Sequence, residues 1–253
     1  MSNQAKAERG LIGVLTLRGF RQLWIGQIFS QLADKFYIVL MVFVIAQYWV
    51  TDTSITSPAL SEAAAAMRVE IETRAQVITL LATGIYVANT LPAVLLGMVA
   101  GVWADRWRKR NVMVASNGLR ALLVLLAPLS LLPGPVWFGL GWGYWALVSM
   151  TFLESVLTQF FAPAEQAAIP LLVPTHQLLA ANSVYQATSM AATIVGFALG
   201  DPLLRLLRSS LAAVGIPGGE FLLLPLCYGV AAVVIRRIDV CEQERPLRSV
   251  PLW

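Results

Sequence analysis

Charge is scarce in this chain. Only 13% of its 253 residues are charged and 58% are hydrophobic, whereas a soluble domain carries about 25% charged residues. With a mean hydropathy of +0.71, that shortage excludes a water-soluble globule and leaves a polytopic membrane protein. Histidine is nearly missing: His176 stands alone, so there is no His-Glu-x-x-His and no paired-ligand metal motif. Two cysteines, Cys227 in an apolar run and Cys241 in a polar tail, do not make a disulfide framework. A serine-type intramembrane hydrolase needs a base beside its nucleophile, and His176 falls in a link between spans, beside Pro174. The residues thus read as no enzyme, with no cofactor and no metal. Nor does the net charge of +4 point to nucleic acid, because the bases sit at the ends of apolar runs and form no single patch.

What the chain has instead is long apolar runs. A bilayer core about 30 Å thick takes roughly 20 helical residues. Six stretches qualify, at 23–50, 77–101, 112–132, 138–161, 183–204 and 221–235, the last being the shortest. The first run is too long for a signal-peptide core and no small-residue cleavage site follows it, so it reads as an uncleaved span. Three parts are expected: a tail at 1–22, a six-helix bundle at 23–235 and a polar segment at 236–253. The 51–76 loop should carry a short helix near 62–72. The 162–182 link should be a short interfacial helix, because Pro163, Pro170 and Pro174 would break a span.

Six spans put both termini on one side, and Lys and Arg mark the cytoplasmic face. Lys6, Arg9, Arg18, Arg21, Arg106, Arg108, Lys109, Arg110, Arg236, Arg237, Arg245 and Arg248 fall on one side; Arg68, Arg74, Arg205 and Arg208 fall on the other. Twelve against four places both ends in the cytoplasm. Tyr48, Trp49, Trp137, Trp142, Tyr144 and Trp145 then lie at the outer interface, with Trp24, Trp103 and Trp107 at the inner one.

Polar residues at helical spacing mark faces within the spans. Gln27, Gln31 and Asp34 form one stripe, and Thr79, Thr83, Tyr86 and Thr90 a second. Thr151, Glu154 and Thr158 form a third, and Asn182, Gln186, Ser189 and Thr193 a fourth, continued by Gly196 and Gly200. Two readings stand: the stripes line a solute cavity, or they hydrogen-bond helix to helix. Charges at membrane depth are sharper evidence, since each costs at least about 2.5–3.5 kcal/mol at a helix centre. Asp34, Arg120 and Glu154 are the three. Arg120 and Glu154 fall at similar depth and are expected to pair, either as a static lock or as part of a site that exchanges a proton or binds a cation. Asp34 has no opposite charge on its own helix face and is the first choice for a proton site; Lys35 points elsewhere.

The turn Gly101-Val-Trp-Ala-Asp105-Arg106-Trp-Arg108-Lys109-Arg110 resembles the loop between the second and third helices of the major facilitator superfamily, Gly-x-x-x-Asp-Arg-x-Gly-Arg-[Arg/Lys]. Arg108 replaces the second glycine. The 163–174 link (PAEQAAIPLLVP) with Leu178 and Ala181-Asn182-Ser183, and the opening Phe20-Arg21-x-Leu23-Trp24-x-Gly26-Gln27 with Ser30-Gln31-x-x-Asp34, look like the branch of siderophore exporters and macrolide-efflux proteins.

This resemblance implies an all-α membrane protein whose six transmembrane helices form two inverted three-helix repeats, half of a twelve-helix fold. It implies a proton-coupled exporter of a small amphipathic solute in a bacterial inner membrane. Gly101, Asp105, Arg106, Lys109 and Arg110 would act as a cytoplasmic gating latch. A missing C-terminal half, or a second copy, would be the partner within the lipid bilayer, and the chain would stop at the start of the central linker. The sequence departs from the pattern in two places: the fourth span has no arginine, and Phe197 and Asp201 replace the proline and last glycine of a Gly-Pro-x-x-Gly-Gly motif. A non-transporting membrane scaffold or receptor is the alternative, since half a transporter has nothing to rock against.

Overall fold

A computed structural model describes residues 13–49, 60–138 and 140–238, without the side chains of residues 49, 60–71, 104 and 105. Residues 1–12, 50–59, 139 and 239–253, Cys241 among them, lie outside the described residues.

Among the described residues, six helices are long and apolar enough to cross a membrane. α1 is Arg18–Val44, continued by a π-helical turn, Ile45–Trp49. α2 is Leu60–Arg106, and α3 is Lys109–Leu125 with a 3-10 turn, Ala127–Leu131, at its end. α4 is Trp142–Leu172, α5 is Leu178–Ala213 and α6 is Leu223–Arg236. The connection from α3 to α4 is a small antiparallel hairpin, β1 (Val136–Trp137) on β2 (Leu140–Gly141), with Val136 opposite Gly141.

Two expected boundaries differ. The Ala-rich stretch before the second span is no separate helix, for α2 runs unbroken from Leu60 to Arg106. With strong helix formers and no glycine or proline over 60–76, nothing interrupts it. The link after the fourth span is likewise helical: α4 holds both Pro163 and Pro170. Each proline deletes one ladder bond, a loss that a long membrane helix packed on its neighbours absorbs. Ala164, Ala168 and Ile169 around these prolines are buried. α4 ends where Val173 turns extended (φ −126°, ψ 133°), as the residue before Pro174 prefers. The hairpin was not anticipated either.

Helix pairing follows a simple rule. α1 packs on α5 and α6, α4 packs on α2 and α3, and α3 packs on α6. Exchanging α1 with α4, α2 with α5 and α3 with α6 leaves this set unchanged. Because the chain crosses the bundle three times, along α1, α2 and α3, before α4 begins, α4 starts at the end opposite to the start of α1. The bundle is therefore two inverted three-helix repeats. Close helix approach depends on missing side chains. A Cβ on Gly196 would lie 2.4 Å from Lys35 Cβ, and one on Gly200 3.0 Å from Val39, so these glycines let α5 cross α1. Lys35 is thus the packing partner of Gly196.

Two apolar clusters fill the interior. One, with Phe20, Leu23, Met113, Phe161, Ala168 and Ile235, lies toward the end that carries the 101–110 turn, called the basic end below. The other, with Phe36, Leu40, Val124, Leu147, Leu204 and Phe221, lies toward the opposite end. Between them is a layer of buried polar side chains: Gln27, Ser30, Asn117, Arg120, Thr151 and Glu154. Outward faces are apolar too, as helices in lipid require. Leu80, Val94 and Met98 of α2 and Leu179, Met190 and Ile194 of α5 are all exposed.

Candidate functional site

The polar layer is organised by one guanidinium. Arg120 sits at the midpoint of the span Lys109–Leu131, and Asp34 close to the midpoint of Arg18–Tyr48. Arg120 is fully buried. Its Nη1 lies 3.3 Å from Asp34 Oδ1 and its Nε 3.7 Å from Glu154 Oε1. The expected Arg120–Glu154 pairing is present. Asp34 finds its opposite charge on another helix, in Arg120, and not on its own helix face.

Three further groups complete the cluster. The Tyr228 hydroxyl of α6 lies 2.8 Å from Asp34 Oδ1 and 3.3 Å from Glu154 Oε1. Ser30 Oγ receives Arg120 Nη1 at 3.4 Å and donates to Asn117 Oδ1 at 2.9 Å. Phe161 and Tyr228 present ring faces to the guanidinium, at 4.9 and 5.7 Å from their centroids, a favourable setting for a desolvated cation. Tyr228, Ser30 and Asn117 escaped the sequence reading. The available signal was spacing: Ser30 stands one helical turn before Asp34, and Asn117 one before Arg120.

The charge count is unusual. Two carboxyls, Glu154 buried and Asp34 partly exposed, share one buried cation, so if both are ionised the cluster holds a net negative charge. A buried charge needs a partner, and one proton on the pair restores balance. The Tyr228 hydroxyl has a single hydrogen, so it donates to one carboxyl at a time.

The other sequence-selected residues divide by location. Gln27 Nε2 donates to the Tyr185 carbonyl at 3.1 Å, and Ser189 Oγ to Gln31 Oε1 at 3.3 Å, both joining α1 to α5. Thr158 Oγ1 lies 3.1 Å from the Glu154 carbonyl and 3.5 Å from Glu154 Oε1. Thr193 bonds the Ser189 carbonyl. The α2 stripe points away from the bundle interior: Thr83, Tyr86 and Gln186 of α5 are all exposed. Thr79, Thr83 and Thr90 each bond the carbonyl four residues earlier. Tyr86 lines a mostly apolar cleft of about 390 Å³ with Val39, Phe43, Phe197, Asp201 and Arg205. Asp201 and Arg205 pair at 2.8 Å. The cleft does not include the Arg120 cluster.

In the basic turn only two residues, Trp107 and Arg108, separate α2 from α3. Gly101 is half-buried and Arg106 exposed. Lys109 Nζ bonds the Trp107 carbonyl at 3.2 Å, and Arg110 Nη1 bonds the Ile238 carbonyl past α6 at 3.3 Å. The Asp105 side chain is outside the described residues.

The model of the Major Facilitator Superfamily matches residues 23–240. The chain belongs to this superfamily. An uncharacterized MFS-type transporter of Mycobacterium tuberculosis is 32% identical over 113 residues, covering 45% of this chain and 24% of that protein. The uncharacterized MFS-type transporter YfiS of Bacillus subtilis is 30% identical over 114 residues, covering 45% of the chain and 25% of YfiS. Each match thus spans about a quarter of the relative's own length. No solved structure matches the chain. Superfamily membership and the six apolar helices make this facilitator a multi-pass membrane protein of a transporter family.

Proposed function

We propose that this facilitator couples movement of a small amphipathic solute to proton movement, with Asp34 and Glu154 sharing one exchangeable proton around Arg120. The observation that carries this reading is the enclosure of one guanidinium by two carboxyls and a phenol at mid-depth. Proton loss would leave a net charge in the core, and that imbalance favours a different helix arrangement. Such a proton-sensitive arrangement is what coupling requires.

The solute would bind against the exposed faces of α2 and α5. Tyr86 and the apolar cleft beside the Asp201–Arg205 pair supply apolar area with a polar rim. Thr83 and Gln186 would line the same route. A second six-helix unit, either a C-terminal half or another copy, would close the route from the other side. Gly101, Asp105, Arg106, Lys109 and Arg110 would latch the two units at the basic end, which we place in the cytoplasm of a bacterium on the strength of the Lys and Arg bias. Both termini then face inward. Export as the direction, and kinship with siderophore and macrolide exporters, follow from the motif resemblance.

Vesicles loaded with ethidium, a cationic amphipathic dye, test the reading. Efflux is followed with and without an imposed pH gradient, for the chain alone and for the chain with a second six-helix half supplied. Gradient-dependent efflux that is lost in Asp34→Asn and Glu154→Gln supports coupling. Efflux indifferent to both substitutions removes the proposed proton site. No efflux in either arrangement favours a non-transporting scaffold.

A further inference from the structure

Glu165 is a buried carboxyl that the central cluster does not use. It lies on α4, eleven residues past Glu154, so about 16 Å further along the helix and toward the basic end. Its residue is fully buried. Oε2 accepts a hydrogen bond from the Tyr185 hydroxyl at 3.0 Å, while Oε1 meets no donor among the described residues. The Tyr185 carbonyl in turn accepts from Gln27 on α1.

The apolar cluster at this end of the bundle draws on five helices. α1 contributes Phe20 and Leu23, α3 Val112 and Met113, α4 Phe161, Ala164 and Ala168, α5 Ala181, and α6 Ile235 to the same cluster. Tyr185 is the titratable group hydrogen-bonded to Glu165. The charged groups that act on Glu165 from other helices are Asp34 and Arg120, of opposite sign. Arg120 is already held by Asp34 and Glu154. Glu220, the buried carboxyl near the opposite end, differs: it has Arg208 at 3.9 Å. Glu165 has no ion-pair partner among the described residues. An ionised carboxylate here would lack both a cation and a second donor, a costly state in an apolar interior. A neutral acid fits: one oxygen accepts the phenol, the other carries the hydrogen.

We propose that Glu165 is a second proton-binding site, separate from the Asp34–Arg120–Glu154 cluster and nearer the basic end, with Tyr185 as its hydrogen-bond partner. It would stand as a station between the central cluster and the basic-end aqueous phase, and in that role it rests on the proton-coupled reading. Its own protonation does not.

Infrared spectra of the chain in phosphatidylethanolamine–phosphatidylglycerol vesicles, recorded from acid to alkaline pH, test this. At neutral pH the wild type should show a protonated-carboxyl stretch that disappears in Glu165→Gln and persists in Glu154→Gln and Asp34→Asn. Tyr185→Phe should move that stretch to higher frequency, because the carbonyl loses a donor. A Glu165→Gln spectrum superimposable on wild type at every pH overturns the proposal, and an unshifted band in Tyr185→Phe overturns the partner assignment. Glutamine mimics the neutral acid, so a Glu165→Gln protein that fails to fold also contradicts it. Loss of bands only in the Asp34 and Glu154 variants would sink the Glu165 site while leaving the central cluster intact.

Discussion

Arg120 Nη1 stands 3.3 Å from Asp34 Oδ1, tying α3 to α1 at mid-depth, and the same guanidinium reaches Glu154 on α4. Arg120→Met removes the only positive charge within reach of either carboxyl among the described residues. Breaking a buried ion pair from one side costs about 3–5 kcal/mol. Denaturant unfolding in detergent should show a loss of that order, partly recovered in Arg120→Met with Glu154→Gln, where one of the two stranded acids is gone. A single variant as stable as wild type would mean the cluster is not held by charge.

Tyr228→Phe isolates the hydroxyl. The ring that faces Arg120 is kept, while the bond shared between Asp34 and Glu154 is lost. A hydrogen bond to a charged group contributes about 1.5–3 kcal/mol. The variant should fold, and the pH dependence of dye efflux in vesicles should shift relative to wild type. An unchanged profile would make Tyr228 a packing residue only.

The α1–α5 crossing can be tested by size. Gly196→Leu places side-chain atoms where Lys35 Cβ now lies, whereas Gly97 has open space at its Cβ position. Overpacking costs about 1–3 kcal/mol or more, and a surface change stays within about 0.5 kcal/mol. The thermal midpoint should fall clearly for Gly196→Leu and hardly move for Gly97→Leu. Equal effects would contradict the crossing.

Orientation is read by labelling. In a cysteine-free background, Arg108→Cys should resist a membrane-impermeant maleimide in intact cells and react after lysis. Reaction in intact cells would put the basic turn outside and reverse the proposed topology.

The bundle was legible because long apolar runs and a basic turn leave few alternatives. Boundaries were less so. Nothing in local composition separates the Ala-rich start of α2 from a detached helix, and Pro163 and Pro170 read as breaks because the packing that tolerates them is tertiary. Asp34, Arg120 and Glu154 stood out since a charge in an apolar run is expensive. Tyr228, Ser30 and Asn117 did not, because a phenol, hydroxyl or amide in a span is cheap enough to be common. The partner of Asp34 lies 86 positions away, and helix rotation, which depth alone does not determine, brings it near. Helical spacing correctly grouped Thr79, Thr83, Tyr86 and Thr90 on one face, yet periodicity alone does not say whether that face meets the interior.

The shared proton is measured most directly by solid-state NMR of carboxyl-labelled aspartate and glutamate in lipid, with signals assigned through Asp34→Asn and Glu154→Gln. At neutral pH one proton should be distributed over Asp34 and Glu154, and the remaining acid should be ionised in either variant, where one carboxylate balances Arg120. Two fully ionised carboxyls in the wild type across the whole range in which it stays folded would contradict it.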